Sequence, residues 1–202
     1  MEDVSQVDQL RQAGQRVLRE KYGVMTPVTG QGVQKGTRFA IIDSGKRLVC
    51  TIKVAAGEEI HRIHFPRSED GGWSTLRDVD RVLYVRRAPG QKGQFEAQMH
   101  SKDVLLEIFD KNHDHAVKKG IGHLPVWLSP DLEEGDRFVG SGFGERALWI
   151  VKGPLQIAEG GKTLGAVTIP SDVQPLTIPQ AKNGIAAGLG ISPDAIEIII
   201  RT

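Results

Sequence analysis

The chain has 202 residues, of which 39% are hydrophobic and 25% are charged, as in an ordinary globular protein with a buried core. Its net charge of +1 excludes a global field that would attract nucleic acid or an anionic membrane. The single cysteine, Cys50, excludes an internal disulfide. No apolar run approaches the roughly 20 residues that span a bilayer, and the acidic start is unlike a signal peptide, so we expect a cytoplasmic protein without a membrane partner.

The first predicted element is an amphipathic helix over residues 5–22. Its apolar side chains fall on one stripe, whereas Gln, Arg and Glu fill the opposite face. Ser5 and Asp8 have the spacing of a capping pair, and Gly23 is a suitable terminating residue. Residues 25–36 are rich in Gly, Thr, Gln and Pro, which predicts a loop.

A β-hairpin is the clearest strand signal. Two apolar runs, 38–43 and 46–54, flank the two-residue turn Ser44-Gly45. If Asp43 pairs with Lys46, Cys50 lies on an apolar face, which predicts a buried thiol. Further short strands are predicted at 60–65, 79–86, 95–100, 124–128, 137–139 and 147–151, with a helical turn at 75–78.

A second amphipathic helix is predicted over residues 101–119, with Ser101 as its N-cap and Gly120 just after its end. The fold class is therefore α/β or α+β, with a mixed, largely antiparallel sheet and two amphipathic helices. We expect a main domain over 1–151, a Gly/Pro-rich linker over 152–176, and a helix–strand terminus over 177–202.

One candidate site resembles the core of the PD-(D/E)xK nucleases. The order helix, strand, turn, strand is similar, and Asp43 is followed by Thr51-Ile52-Lys53. Such a site would need Mg²⁺ held by two acids beside a lysine, but Thr51 stands where the second acid should be. The hairpin pairing also separates Asp43 from Lys53 by about 20 Å or more. The nuclease therefore remains an alternative function, with no catalytic residue assigned.

Three other patterns are weaker. His113 and His115 point about 200° apart on a helix, and His61 and His64 face opposite sides of a strand, so we assign no metal or other cofactor. The Gly-rich segment 140–144 precedes a predicted strand and lacks the spacing of a phosphate-binding loop, so a flexible connection is expected. Residues 185–196 resemble a helix-turn-helix but lack basic residues that could contact bases, which favours a helix–strand unit.

A basic sheet face is the leading candidate for a function. The hairpin pairing places Arg38, Arg47 and Lys53 on one face, and Arg62 could extend it. Such a face could contact the phosphates of DNA or RNA. The predicted nucleic-acid-binding residues are Arg38, Arg47, Lys53, Arg62, Arg67, Arg86 and Arg87.

Among the tryptophans, Trp73 lies in a polar loop and is predicted to be an exposed binding contact, whereas Trp127 and Trp149 are predicted to lie in the core. Three functions remain. A non-catalytic binding or accessory protein that contacts nucleic acid is favoured over an enzyme. The alternatives are the metal-dependent nuclease and a scaffold that forms homo-oligomers through its C-terminal strand.

Overall fold

The structure, a computed structural model, describes residues 5–30, 36–57 and 61–155 and the single residues Lys182 and Ser192. Within these residues two α-helices are present, α1 (Gln6–Tyr22) and α2 (Lys102–Lys118). The strands of the same region are β1 (Thr26–Pro27), β2 (Arg38–Asp43), β3 (Lys46–Ala55), β4 (Ile63–His64), β5 (Arg81–Arg87), β6 (Gln94–Ser101), β7 (Trp127–Leu128) and β8 (Trp149–Pro154).

Six of these strands form one sheet in the order β1-β2-β3-β5-β6-β8. Only the β3–β5 pair is parallel, and the remaining pairs of this sheet are antiparallel. A separate antiparallel pair joins β4 to β7. The predicted mixed, largely antiparallel α/β fold is therefore confirmed.

Local signals position both helices as predicted. The hydroxyl of Ser5 accepts a hydrogen bond from the backbone N–H of Asp8 at 3.3 Å, which caps α1. Ser101 caps α2 in the same way through the N–H of Val104. Gly120 follows α2 with a φ of 76°, a left-handed conformation that glycine adopts without strain.

The β2–β3 hairpin has the predicted register. Asp43 lies opposite Lys46, and Phe39 lies opposite Cys50, which is fully buried. Burial raises the pKa of the Cys50 thiol to about 12, so the thiol stays protonated at neutral pH. The prediction of a buried thiol is confirmed.

Each face of the large sheet carries its own apolar cluster. On one face, Leu10, Val17 and Leu18 of α1 pack against apolar side chains of β2, β3, β5 and β6. On the other, Leu105 and Phe109 of α2 belong to a cluster that includes Val82 and Tyr84 of β5 and residues of β4 and β7. The sheet is thus the middle layer of three.

Two predicted strands differ from the structure. The segment predicted at 60–65 contributes β4, which pairs with β7 rather than with β3, because its buried side chains belong to the α2-side cluster. Residues 136–138 form a 3-10 turn instead of a strand. There the side-chain amide of Asn112 donates to the carbonyls of Arg137 and Val139, so these acceptors are bonded to α2.

The chain divides into two units, Met1–Ala158 and Glu159–Thr202. Strand β8 continues to Pro154, three residues past the end of the predicted main domain. Apart from the isolated residues Lys182 and Ser192, the predicted helix–strand terminus and residues 185–196 lie outside the described residues. The predicted domain division stays a prediction.

Gly14 allows α1 to approach the sheet closely. A Cβ at this position would lie 2.9 Å from Cγ2 of Val85 and 3.2 Å from Cγ2 of Ile52. We expect Gly14→Leu to lower the free energy of unfolding by about 1–3 kcal/mol, because both neighbours are stiff β-branched side chains. Urea unfolding measures this, with Gln12→Leu on the exposed side of α1 as control. Equal effects of the two substitutions would contradict the close approach.

Candidate nucleic-acid interface

Most basic side chains on the predicted basic face of the hairpin are partly buried and bonded within the chain. The strand register confirms that Arg38, Arg47 and Lys53 share one face, but of these only Arg47 is exposed. A guanidinium nitrogen of Arg38 lies 3.8 Å from a carboxylate oxygen of Asp78. Lys53 donates to the backbone carbonyl of His64 at 3.4 Å. Burial, and secondarily Arg38, lowers the pKa of Lys53.

Arg62 and Arg67 lie over aromatic rings. The guanidinium of Arg62 donates to both carboxylate oxygens of Glu133 and lies 4.1 Å from the ring centre of Phe138. That of Arg67 lies 5.1 Å from the ring centre of Trp73. Both contacts hold the cation in place, and in Arg62 an acid already neutralises the charge.

Arg86 is the centre of a buried ionic network. It is 3% exposed and forms ion pairs with Glu96, at 2.7 Å, and with Asp131. Lys152 lies 3.1 Å from the second carboxylate oxygen of Glu96. Burial disfavours the charged form of Glu96, but hydrogen bonds from Arg86 and Gln98 outweigh it and lower the pKa of this carboxyl. Hydrogen bonding to Arg86 lowers the pKa of Asp131 as well.

A pocket of about 560 Å³ lies beside this network, with Glu96, Asp131 and Glu145 among its lining residues. The backbone N–H groups of Gly142 and Gly144, on its wall, donate to carbonyls of residues 129–131. These two N–H groups are therefore bonded within the chain rather than directed at a ligand in the pocket. The segment leads into a 3-10 turn at Phe143–Arg146 and then to β8, and the flexibility that we predicted for it stays a prediction.

Arg87 lines a different pocket, at the turn between β5 and β6. A pocket of about 310 Å³ is lined there by the basic side chains His61, Arg87 and Lys92. The rest of its described lining is the turn 88–91 and Gly93, and none of the described lining residues is acidic. Glu58 and Glu59, which precede His61, lie outside the described residues.

The turn that carries this pocket is held by its own backbone. The N–H of Ala88 donates to the carbonyl of Gln94 at 3.0 Å, and the N–H of Gln91 donates to that of Ala88 at 3.1 Å. Gly90 and Gly93 have φ values of 68° and 73°, which favour glycine. Lys92 therefore projects from a defined turn rather than from a free loop.

His61 also lines this pocket. Its Nδ1 is buried and has no hydrogen-bond partner among the described residues. Its backbone carbonyl accepts a hydrogen bond from the Tyr84 hydroxyl at 2.6 Å, which holds the segment against β5. Burial, and secondarily Arg86, lowers the pKa of His61, so its imidazole is neutral at pH 7.

Arg87 belongs to the predicted nucleic-acid-binding residues, whereas Lys92 and His61, which line the same pocket, do not. A usable signal was present, because Arg87 and Lys92 flank the Pro-Gly turn that we treated only as a connection. No local sequence pattern predicts that His61 lies at this pocket, because its segment is held against β5 by a hydrogen bond from the distant Tyr84 hydroxyl to the His61 carbonyl.

Two tryptophan predictions are wrong. Trp73 is 3% exposed, and its indole N–H donates to Asp110 of α2 at 2.8 Å, so it is part of the core. Trp127 is 46% exposed instead of buried. Trp149 is partly buried, and its indole N–H donates to the Tyr22 hydroxyl.

Within the ranges that the structure describes, no cluster of three or more His, Cys, Asp or Glu residues has a geometry that could hold a metal ion. No helix in those ranges is long and apolar enough to cross a membrane. No family model, curated protein or solved structure matches this chain.

Proposed function

We propose that this chain is a non-catalytic protein that binds nucleic acid, and that it contacts the phosphate backbone at the pocket between His61, Arg87 and Lys92. One observation carries the proposal: three basic side chains, two at the β5–β6 turn and His61 from an earlier segment, line a single pocket. Phosphate oxygens are the acceptors that such a cluster favours, and phosphate contacts supply most of the affinity in non-specific binding.

The geometry of the pocket supports a backbone contact rather than base recognition. Lys92 is exposed and lies on a fixed turn, so its ammonium can reach a phosphate with little ordering of the chain. His61 would attract a phosphate only when protonated, through the charge of its ring, because its Nδ1 is buried and out of reach of a phosphate oxygen. An anion here also favours protonated His61, so binding should tighten as the pH falls.

The test measures the anisotropy of a labelled 20-nucleotide DNA and RNA in EDTA across a range of salt concentrations. We expect Lys92→Gln and Arg87→Gln each to weaken binding and to reduce the slope of log affinity against log salt by about 0.7–0.9, the loss of one phosphate contact. Lys118→Gln on α2 removes the same charge from an exposed position and serves as the matched control.

Two results would refute the proposal. One is an absence of binding at low salt. The other is an equal loss for Lys118→Gln and Lys92→Gln, since that would show a general charge effect. Cleavage of either nucleic acid when Mg²⁺ replaces EDTA would overturn the non-catalytic part.

The two alternative functions rest on the sequence alone. For the nuclease, Asp43 lies at the hairpin turn, whereas the ammonium of Lys53 donates a hydrogen bond to the carbonyl of His64 in β4. No observation on the described residues therefore favours a metal site shared by Asp43 and Lys53. For the oligomerising scaffold, the C-terminal strand lies outside the described residues.

A further inference from the structure

Trp127 is a large aromatic side chain that lies exposed on the surface, whereas Trp73 is buried. It is 46% exposed, and its ring lies 4.8 Å from that of His64, centre to centre, with 23° between the planes. The two residues are directly opposite each other in the β4–β7 pair. Their neighbours Ile63 and Leu128 are buried, so the stacked pair is on the outward face of this small sheet.

The stacked pair is held in place before any ligand arrives. Nδ1 of His64 lies within hydrogen-bond distance of the carbonyl of Val126, at 2.9 Å. The carbonyl of His64 accepts the hydrogen bond from Lys53 at 3.4 Å. His64 therefore supports the indole from one side, and a partner that stacks on Trp127 loses little side-chain entropy there.

The pair also lies close to the basic pocket. His64 is three residues after His61, which lines that pocket. Three residues of extended chain place the Cα atoms of His61 and His64 at most about 11 Å apart, so a strand that continues a few nucleotides beyond the pocket can reach the aromatic pair. A polyanion bound at the pocket would bring its bases near Trp127.

We infer that Trp127, supported by His64, is a stacking site for an unpaired nucleobase, and that the nucleic acid bound by this chain is single-stranded. The inference rests on the proposed function. Bases in a duplex are stacked on each other and cannot lie flat against an indole, whereas an unpaired base can. Stacking of this kind is tolerant of sequence, since every base has an aromatic face.

The test compares three labelled ligands of equal length by anisotropy: a mixed-sequence single strand, a duplex, and an abasic single strand that keeps the phosphates. The wild-type chain is expected to bind the base-bearing single strand more tightly than either of the others. Trp127→Ala should weaken binding of that strand by about 5- to 150-fold and leave binding of the abasic strand unaffected. Trp127→Phe should retain most of the affinity.

Leu132→Ala is the matched control, because Leu132 is also large, apolar and 82% exposed. Urea unfolding of each variant confirms that it is folded. Equal binding of duplex and single strand, or an unchanged affinity of Trp127→Ala, would overturn the stacking site. If Lys92→Gln still weakens binding in that case, the proposed function stands without it. If Lys92→Gln has no effect either, both proposals fail.

Discussion

Replacing Arg86 with Met is expected to lower the free energy of unfolding by about 3–5 kcal/mol, the usual cost of removing one partner from a buried ion pair. Arg86 and Glu96 face each other on β5 and β6, with side chains only 4% and 6% exposed. Without the guanidinium, Glu96 keeps hydrogen bonds from Gln98 and Lys152 but loses its buried counterion. Its carboxylate would then be charged in a poorly solvated place, or take up a proton.

Urea unfolding at pH 7 measures this effect, and two comparisons isolate its cause. The double variant Arg86→Met with Glu96→Leu removes both charges and should recover much of the loss. Arg62→Met breaks the pair with Glu133, whose side chains are 25% and 27% exposed, so it should cost less. If the double variant is as unstable as Arg86→Met alone, the loss comes from packing rather than from the unpaired carboxylate.

The helices and the hairpin could be predicted because their signals are local. Ser5 and Ser101 cap their own helices, and a two-residue turn sets the register of β2 and β3. Alternation then places Cys50 in the core without knowledge of the rest of the chain. In each element the residues that decide the structure are close in sequence.

The parts that could not be predicted depend on distant partners. Trp73 is buried because Asp110, 37 residues later, accepts its indole N–H. The 3-10 turn after Gly135 depends on the amide of Asn112 in α2. Without these contacts, a tryptophan in a polar loop looks exposed, and a short apolar segment looks like a strand.

The burial of the polar side chains of β6 could not be predicted from the sequence for a different reason. Glu96, Gln98 and His100 alternate with apolar residues, a pattern typical of a strand with one solvated face. In the structure all three are buried. They form a hydrogen-bonded row in which Gln98 donates to Glu96 and its side-chain oxygen lies 3.3 Å from Nε2 of His100. Their burial results from the segments that cover β6, which alternation within β6 does not reveal.

At the end of this row, His100 is expected to make the fold sensitive to mild acid. It is fully buried, and burial lowers its pKa from 6.5 to about 4. Between these two values the unfolded chain binds a proton that the folded chain does not, so folding stability falls as the pH falls from 6.5 to 4. A shift of this size corresponds to a loss of about 3 kcal/mol from this one side chain.

His100→Gln separates this effect from that of the other titrating groups. Glutamine does not titrate and can still donate a hydrogen bond to Gln98. Glu96, Asp131 and His61 are present in both proteins, so the difference between the two proteins reports mainly the titration of His100. Urea unfolding at pH 7 and pH 4 should show the wild-type chain losing about 3 kcal/mol more than the variant. Equal losses would mean that His100 accepts a proton without unfolding, and hence that water reaches Nδ1 in the folded chain.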